Sequence, residues 1–252
     1  MKEKFKIYSF KKIDSTNNYA KKLAQNGAKE KTVVIASEQT AGRGRLGRTF
    51  LSKKGGVYFS VVLRPKTDAE GLIFITVAAA VAVCHAIEKV SLKKCEIKWV
   101  NDIYINGKKV CGILTEGGFN SQGAPEFAIL GVGINAFAHK NGFPENLPLA
   151  DSIFKKNIPF KTKFIKKRLV KEFLKEFFNI YENIENKDFI KEYAERSFLN
   201  GKTITYKTKE KEITAKVMGI DKQARLVVES DGQERALSHG EIQIVGMEQL
   251  EI

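Results

Sequence analysis

Residues 32–63 read TVVIASEQTAGRGRLGRTFLSKKGGVYFSVVL. The stretch opens on a β-branched run, 32–37, and closes on a second apolar run, 57–63. Both runs predict strands, so the segment SEQTAGRGRLGR between them is a strand-to-strand loop. Gly42, Gly44 and Gly47 let backbone approach a ligand closely, and Arg43, Arg45 and Arg48 supply guanidinium forks for phosphate or carboxylate. The pattern G-x-x-x-x-G-K-[ST] is missing and no helix follows, which excludes a Walker-type cradle. Taken alone, the loop also reads as a flexible basic turn or an arginine–glycine contact for nucleic acid.

Upstream of this loop a short first strand leads to Asp14-Ser15-Thr16, which offers helix N-caps. Tyr19, Ala20, Leu23 and Ala24 fall on one helical face before Gly27 stops the helix. Taken alone, Ser15-Thr16-Asn17 is capping chemistry. Downstream, a long apolar helix is predicted over 69–90 and a strand over 95–99. A hairpin over 103–105 and 110–116 turns at Asn106-Gly107, a pair suited to two positive φ angles. A further strand covers 127–134. Lys98-Trp99-Val100-Asn101-Asp102 puts Asn101 and Asp102 at a strand end, and Lys109 starts the return strand of the hairpin. Turn chemistry and a solvated lysine explain that cluster equally well when it stands alone.

From about residue 150 the chain turns helical, over 162–182 and 186–198, and rich in lysine. Phe164, Phe173, Phe177 and Phe178 recur there at helical spacing, as a core-facing stripe would. Beyond Asn200-Gly201 come short strands at 203–206, 213–218, 226–229, 235–237 and 242–245, the pattern of a small barrel. Two domains are therefore expected, 1–199 and 200–252.

The 252 residues are 43% hydrophobic and 29% charged, which excludes a disordered chain. A net charge of +14 predicts attraction to polyanions. Cys84, Cys95 and Cys111 are odd in number and lack C-x-x-C spacing, against a disulfide framework or zinc site and for a reducing, cytoplasmic setting. The N-terminus lacks the apolar core of a signal peptide. The most apolar stretch, 72–87, is interrupted by Thr76 and His85 and reads as a buried helix too short to span a bilayer, so no membrane association is expected.

Taken in order, the motifs are Ser15-Thr16-Asn17, Gln39 with G-R-G-R-L-G-R, K-W-V-N-D with Lys109 and Gly112 downstream, and Gly131-Val-Gly-Ile-Asn135. This succession resembles the catalytic domain of biotin–protein ligases over residues 5–245, with one departure: Val100 stands where the family has proline, which loosens a rigid turn. The resemblance implies an α+β fold of the class II aminoacyl-tRNA-synthetase-like, biotin/lipoate ligase type: a mixed β-sheet with packed helices, followed by an SH3-like barrel. It implies ATP and biotin as substrates, with Mg2+, and a biotin carboxyl carrier protein as partner, the biotinyl domain of acetyl-CoA carboxylase. Lys109, Arg45 and Asp102 are then catalytic. Ser15, Thr16, Gln39, Gly42, Arg43, Lys109 and Gly112 contact biotin. Arg43, Arg45, Arg48, Trp99, Asn101, Asp102, Lys109 and Asn135 contact ATP or the adenylate. Metal ligands are not assigned. The Ser-Thr-Asn motif begins at residue 15, leaving no room for the winged helix of repressor relatives, so specific DNA binding is not expected; a monomer or homodimer is. Lipoate–protein ligation, which shares this fold and chemistry, and nucleic-acid binding through the basic surface are the competing readings.

Overall fold

The computed structural model describes residues 5–138, 142–156, 159–208, 211–238 and 242–245, with nothing said of the side chains of 159 and 160. Its first sheet comprises β1 (Lys6–Phe10), β2 (Thr32–Ala36), β3 (Val57–Leu63), β4 (Glu96–Lys98), β5 (Asp102–Ile105), β6 (Lys108–Phe119) and β7 (Pro125–Ile134). The strand order is β1-β2-β3-β7-β6-β5-β4. Strands β1 and β2 are parallel and the other neighbours antiparallel, so the sheet is mixed.

Every residue of β3 is buried, as a central strand covered on both faces must be. Successive side chains alternate between those faces. Val34, Val62, Phe127 and Ile129 pack against Ala20 and Ala24 of α1 (Thr16–Gln25). Val33, Val61, Leu63, Ala128 and Leu130 face the other way and join the main core with α2 (Leu72–Ser91). Helix α2 covers most of the helix expected over 69–90 and runs past the most apolar stretch, 72–87. Its 20 residues have a mean hydropathy of 1.8, which by length and composition is enough to cross a membrane, but two-thirds of it is buried inside the fold. It is apolar on all sides because it is sandwiched between the sheet and α3 (Pro159–Tyr181).

Phe173, Phe177 and Phe178 of α3 are buried, and Phe59 and Phe173 lie 5.0 Å apart between ring centroids. Phe164 departs from the expected stripe: it is 67% exposed, one position off the buried face. The helix expected over 186–198 divides into a 3-10 turn, Ile184–Asn186, and a short α4 (Phe189–Glu195), separated by the left-handed Lys187.

A second, antiparallel sheet contains β8 (Thr203–Lys207), β9 (Glu212–Ile220), β10 (Leu226–Ser230), β11 (Gln233–Leu237) and β12 (Ile242–Ile244), in the order β11-β10-β9-β8-β12. Those are the five strands expected of a small barrel; residues 246–252 of the expected second domain lie outside the described residues. The core is continuous between the sheets: Trp99 donates its indole N–H to Ala224 O at 2.9 Å, and Ile204, Val217 and Leu226 share one apolar cluster with α2.

Edge strand β4 is covered by the segment after α4. Ile97 N–H donates to Arg196 O and Phe198 N–H to Ile97 O, both at 2.8 Å. Arg196 forks onto both oxygens of Glu88, at 2.6 and 3.0 Å, and reaches Glu192 at 2.8 Å. Burial raises the Glu88 carboxyl, but hydrogen bonds from Arg196 and from Cys95 N–H outweigh it and hold the group below its ordinary 4.5. The stabilisation is complete above that ordinary value and is lost as pH falls through the lower folded one. We expect Arg196→Ala to lose about 2–3 kcal/mol at neutral pH, the weight of hydrogen bonds between charged groups, and the gap between variant and parent in urea unfolding to shrink under acid.

Candidate active site

The site begins as a hollow in the α1 face of the sheet. One register row runs Tyr58, Gly133, Gly112, Asp102 across β3, β7, β6 and β5; the next runs Ser60, Gly131, Leu114. Three glycines in neighbouring rows remove the side chains that would fill this face. The Phe50 ring lies over Gly112 and Gly133, so close that a Cβ on either would meet it at 3.0 or 2.6 Å. Asn17 lies over Gly131, where a Cβ would be 2.1 Å from its Oδ1.

One wall is neutral and polar. Ser15 caps α1 by accepting from Asn18 N–H. Thr16 gives its N–H to Gln39 Oε1 at 2.7 Å and its hydroxyl at 3.0 Å, while Gln39 Nε2 donates to Ser52 Oγ at 2.8 Å. Ser60 Oγ lies 2.8 Å from Thr16 Oγ1 and donates to Asn17 Oδ1 at 2.6 Å.

The opposite wall is cationic. The glycine–arginine loop is more structured than its composition suggests: Gly44 N–H donates to Arg48 O at 2.7 Å and Phe50 N–H to Gly42 O at 2.9 Å. Its tip is a 3-10 turn at Arg45–Gly47, with Leu46 left-handed and 71% exposed. The arginines diverge instead of crowding one another. Arg43 pairs with Glu116 at 2.9 Å, and Arg45 donates to Asn101 Oδ1 at 3.2 Å. Asn101 in turn donates to Ile113 O, and Tyr193 donates its hydroxyl to Val100 O, so hydrogen bonds hold the turn at Val100 from two sides. Trp99–Val100 is a cis peptide. Asp102 opens β5; it does not close a strand as expected, because β4 ends at Lys98 and the chain reverses through residues 99–101. Its Oδ2 pairs with Lys109 at 2.7 Å, whereas Oδ1, like Asn135 Oδ1, is buried without a hydrogen-bond partner.

These walls enclose a cavity of about 280 Å³. Every candidate residue named from the sequence lines it except Gly42, which packs behind the loop against Phe50 O and Ser52 Oγ. Ile242 and Gln243 of the second sheet also reach it. Among the lining residues five are cationic, Arg43, Arg45, Arg48, Lys98 and Lys109, against one carboxylate, Asp102. Lys98, read in the sequence only as part of its motif, is 5% exposed. Burial pushes its ammonium down to about 8, partly offset by Asp102 and reinforced by Lys109 and Arg48. Among the described residues no three His, Cys, Asp or Glu side chains come together as a metal cluster.

Residues 9–135, half of the chain, match the biotin/lipoate A/B protein ligase family. The chain belongs to that family. Among curated relatives, the bifunctional ligase/repressor BirA of Bacillus subtilis is 44% identical over 136 residues, 54% of this chain and 42% of the relative. The biotin–[acetyl-CoA-carboxylase] ligase of Paracoccus denitrificans is 38% identical over 126 residues, 49% of this chain and 52% of the relative. The chain thus spans about half the length of these relatives. A solved structure of biotin protein ligase from Aquifex aeolicus in complex with biotin and ATP superposes with a TM-score of 0.74 at 24% identity, covering 95% of this chain and 98% of that one. The family's fold therefore extends through the second sheet.

Phe50, Ser60 and Glu116 were not singled out in the sequence. The available signal for Glu116 is an acid inside a twelve-residue strand, beside glycines and aliphatics. Gly131→Ala offers a direct check on the floor. Asn17 is 5% exposed and tied on both sides, so it cannot yield to a new methyl group. Overpacking of this kind costs about 1–3 kcal/mol, and denaturant unfolding of the variant should show a loss in that range.

Proposed function

We propose that the chain is a biotin–protein ligase. The biotin carboxylate attacks the α-phosphate of ATP, pyrophosphate leaves, and biotinoyl-5′-AMP forms. The amine of an acceptor lysine then attacks the acyl carbon, AMP leaves, and the amine gives up a proton. The acceptor is a biotin carboxyl carrier protein of the acetyl-CoA carboxylase type. The observation that carries this reading is the make-up of the cavity: a neutral hydrogen-bonding wall at one side and five cations against one carboxylate at the other. The names of the relatives, and the biotin and ATP in the Aquifex complex, support it.

Each residue has a part that its chemistry suits. Ser15, Thr16 and Gln39 hydrogen-bond the ureido ring, and Gly112 leaves room for it; Gly42 serves from behind by letting the loop close on Phe50. Lys109 bridges the biotin carboxylate and the α-phosphate, with Arg45 and Arg48 stabilising the charge that builds as phosphorus is attacked. Asp102, already paired with Lys109, takes the acceptor lysine's proton. Trp99, Asn101 and Asn135 flank the adenylate, the unpartnered Asn135 oxygen being an acceptor for an exocyclic amine. Magnesium bound with ATP would neutralise charge on the phosphates. The unpartnered Asp102 Oδ1 is a fitting donor, because magnesium is held by one or two carboxylates plus substrate phosphates. Residues 1–199 form the catalytic unit and 200–252 the small β-unit, whose strand β12 closes one side of the cavity. The enzyme is cytoplasmic, and a monomer or homodimer. Biotin is favoured over lipoate because a dithiolane ring has no N–H or carbonyl to engage the polar wall of Ser15, Thr16 and Gln39.

ATP–pyrophosphate exchange should depend on biotin and ignore lipoate; exchange without biotin, or equal exchange with lipoate, would overturn the assignment. Lys109→Ala should slow adenylate formation about a hundredfold, the weight of one preorganised donor, and weaken biotin binding by calorimetry far less. Lys98 is charged below about pH 8 and neutral above it. If its charge holds a phosphate, kcat/KM for adenylation falls as pH rises through 8, and Lys98→Arg, which stays charged, removes the inflection. A parent profile flat through pH 8 would leave Lys98 without that role.

A further inference from the structure

Glu116 projects from β6 toward α1, one register row beyond the glycine floor: Ser60 pairs with Gly131, and Ile129 of the next row pairs with Glu116. Its two oxygens are divided between two elements. Oε2 accepts from Asn17 Nδ2 at 2.7 Å, and Oε1 pairs with Arg43 Nη2 at 2.9 Å. Arg43 Nη1 donates to Asn18 Oδ1 at 3.2 Å, so the guanidinium spans β6 and α1. Asn17 passes the connection on through Ser60 to Thr16 and Gln39.

We infer that Glu116 is a positioning residue for the biotin wall, and that Arg43 acts with it as a strut for the glycine–arginine loop, not as a phosphate ligand. The inference rests on the ligase reading for its kinetic consequences alone. Glu116 lies behind the cavity and touches no substrate. Arg43 is engaged on two sides, whereas Arg45 makes a single contact to a neutral amide and Lys109 stands beside Asp102 at the cavity. Arg43 itself is half exposed, but Glu116 is partly buried and would lose its only charged partner if Arg43 turned away to a phosphate. Removing the Glu116 charge therefore frees the loop and lets the Asn17 amide turn, disturbing Thr16 and Gln39 while leaving the cations for chemistry in place.

The test compares the parent with Glu116→Gln, with Arg43→Glu, and with the charge-swapped pair Arg43→Glu/Glu116→Arg. In Glu116→Gln, KM for biotin should rise about tenfold, the weight of one charge-assisted hydrogen bond, while KM for ATP and kcat for adenylation stay within about threefold. Hydrogen exchange over residues 42–48 should quicken without ligand. The swapped pair should recover part of both losses relative to Arg43→Glu, which no loss of general packing would allow. The inference is overturned if Glu116→Gln leaves biotin KM and loop exchange unchanged, or if its loss falls on kcat or on ATP KM. It is equally overturned if the swapped pair is no better than Arg43→Glu. If the parent itself makes no biotinoyl adenylate, the ligase reading fails, and loop exchange in the ligand-free variants still decides the strut.

Discussion

A sheet covered by helices on both faces has no room for a ligand unless side chains are left out, and here the omission is made at Gly112, Gly131 and Gly133. Their places in adjoining register rows are set by the pairing of β3, β7 and β6, and pairing of this kind moves every side chain to the opposite face if it slips by one residue. The alternation that sends Ala128, Leu130 and Val132 into the α2 core is therefore the same alternation that turns the glycines toward the cavity. Core packing on one face fixes the vacancy on the other.

What borders that vacancy is set by charge separation within a small space. Burying several cations near one another is costly unless each has a partner or the group can lose its charge. The fold uses both solutions. Arg43 has Glu116, Lys109 has Asp102, and Arg196, outside the cavity, has Glu88 and Glu192. Among the described residues Lys98 has no direct carboxylate pair, and burial lowers its ammonium to about 8 instead. An anionic ligand relieves that cost, so a cluster of cations with few carboxylates makes the cavity receptive to phosphate.

Much of this was legible in the sequence because it is local. Strand runs, the Ser15 cap, the Asn106-Gly107 turn with both φ angles positive, and the helical face of Tyr19, Ala20, Leu23 and Ala24 each depend on residues a few positions apart. The ordered motifs supplied the site residues by resemblance, and all but Gly42 line the cavity. What could not be read is what depends on register. Asn17 meets Glu116 across 99 residues and Ser60 across 43, and no periodicity encodes either contact. The loop shows the same limit: its bond from Gly44 to Arg48 is local, but the carboxylate that Arg43 meets lies on β6, and nothing in the loop's own composition points to it. Phe164 shows the opposite limit. Its spacing fits the buried stripe loosely, but only the packing of α3 against α2 decides which of the neighbouring positions faces inward.

Within a chain of net charge +14, two groups of basic residues have different consequences. On α3, Lys161, Lys167, Arg168, Lys171 and Lys175 are exposed, while Glu172 and Glu176 are turned inward, where Lys89 lies 2.6 and 3.9 Å from them. This leaves the outer face basic, but α3 packs on α2, which covers the face of the sheet opposite the glycine floor. Screening over about 8 Å at physiological salt keeps charges that far away from acting on a phosphate in the cavity. Lys98 and Lys109, by contrast, act within a few ångströms and in surroundings from which water is largely removed, where a single charge has several times its effect in solvent. The electrostatics nearest the cavity's ligand are therefore those of Arg45, Arg48, Lys98 and Lys109, fixed by the sheet and its loop, and the basic composition of the rest of the chain contributes to encounter.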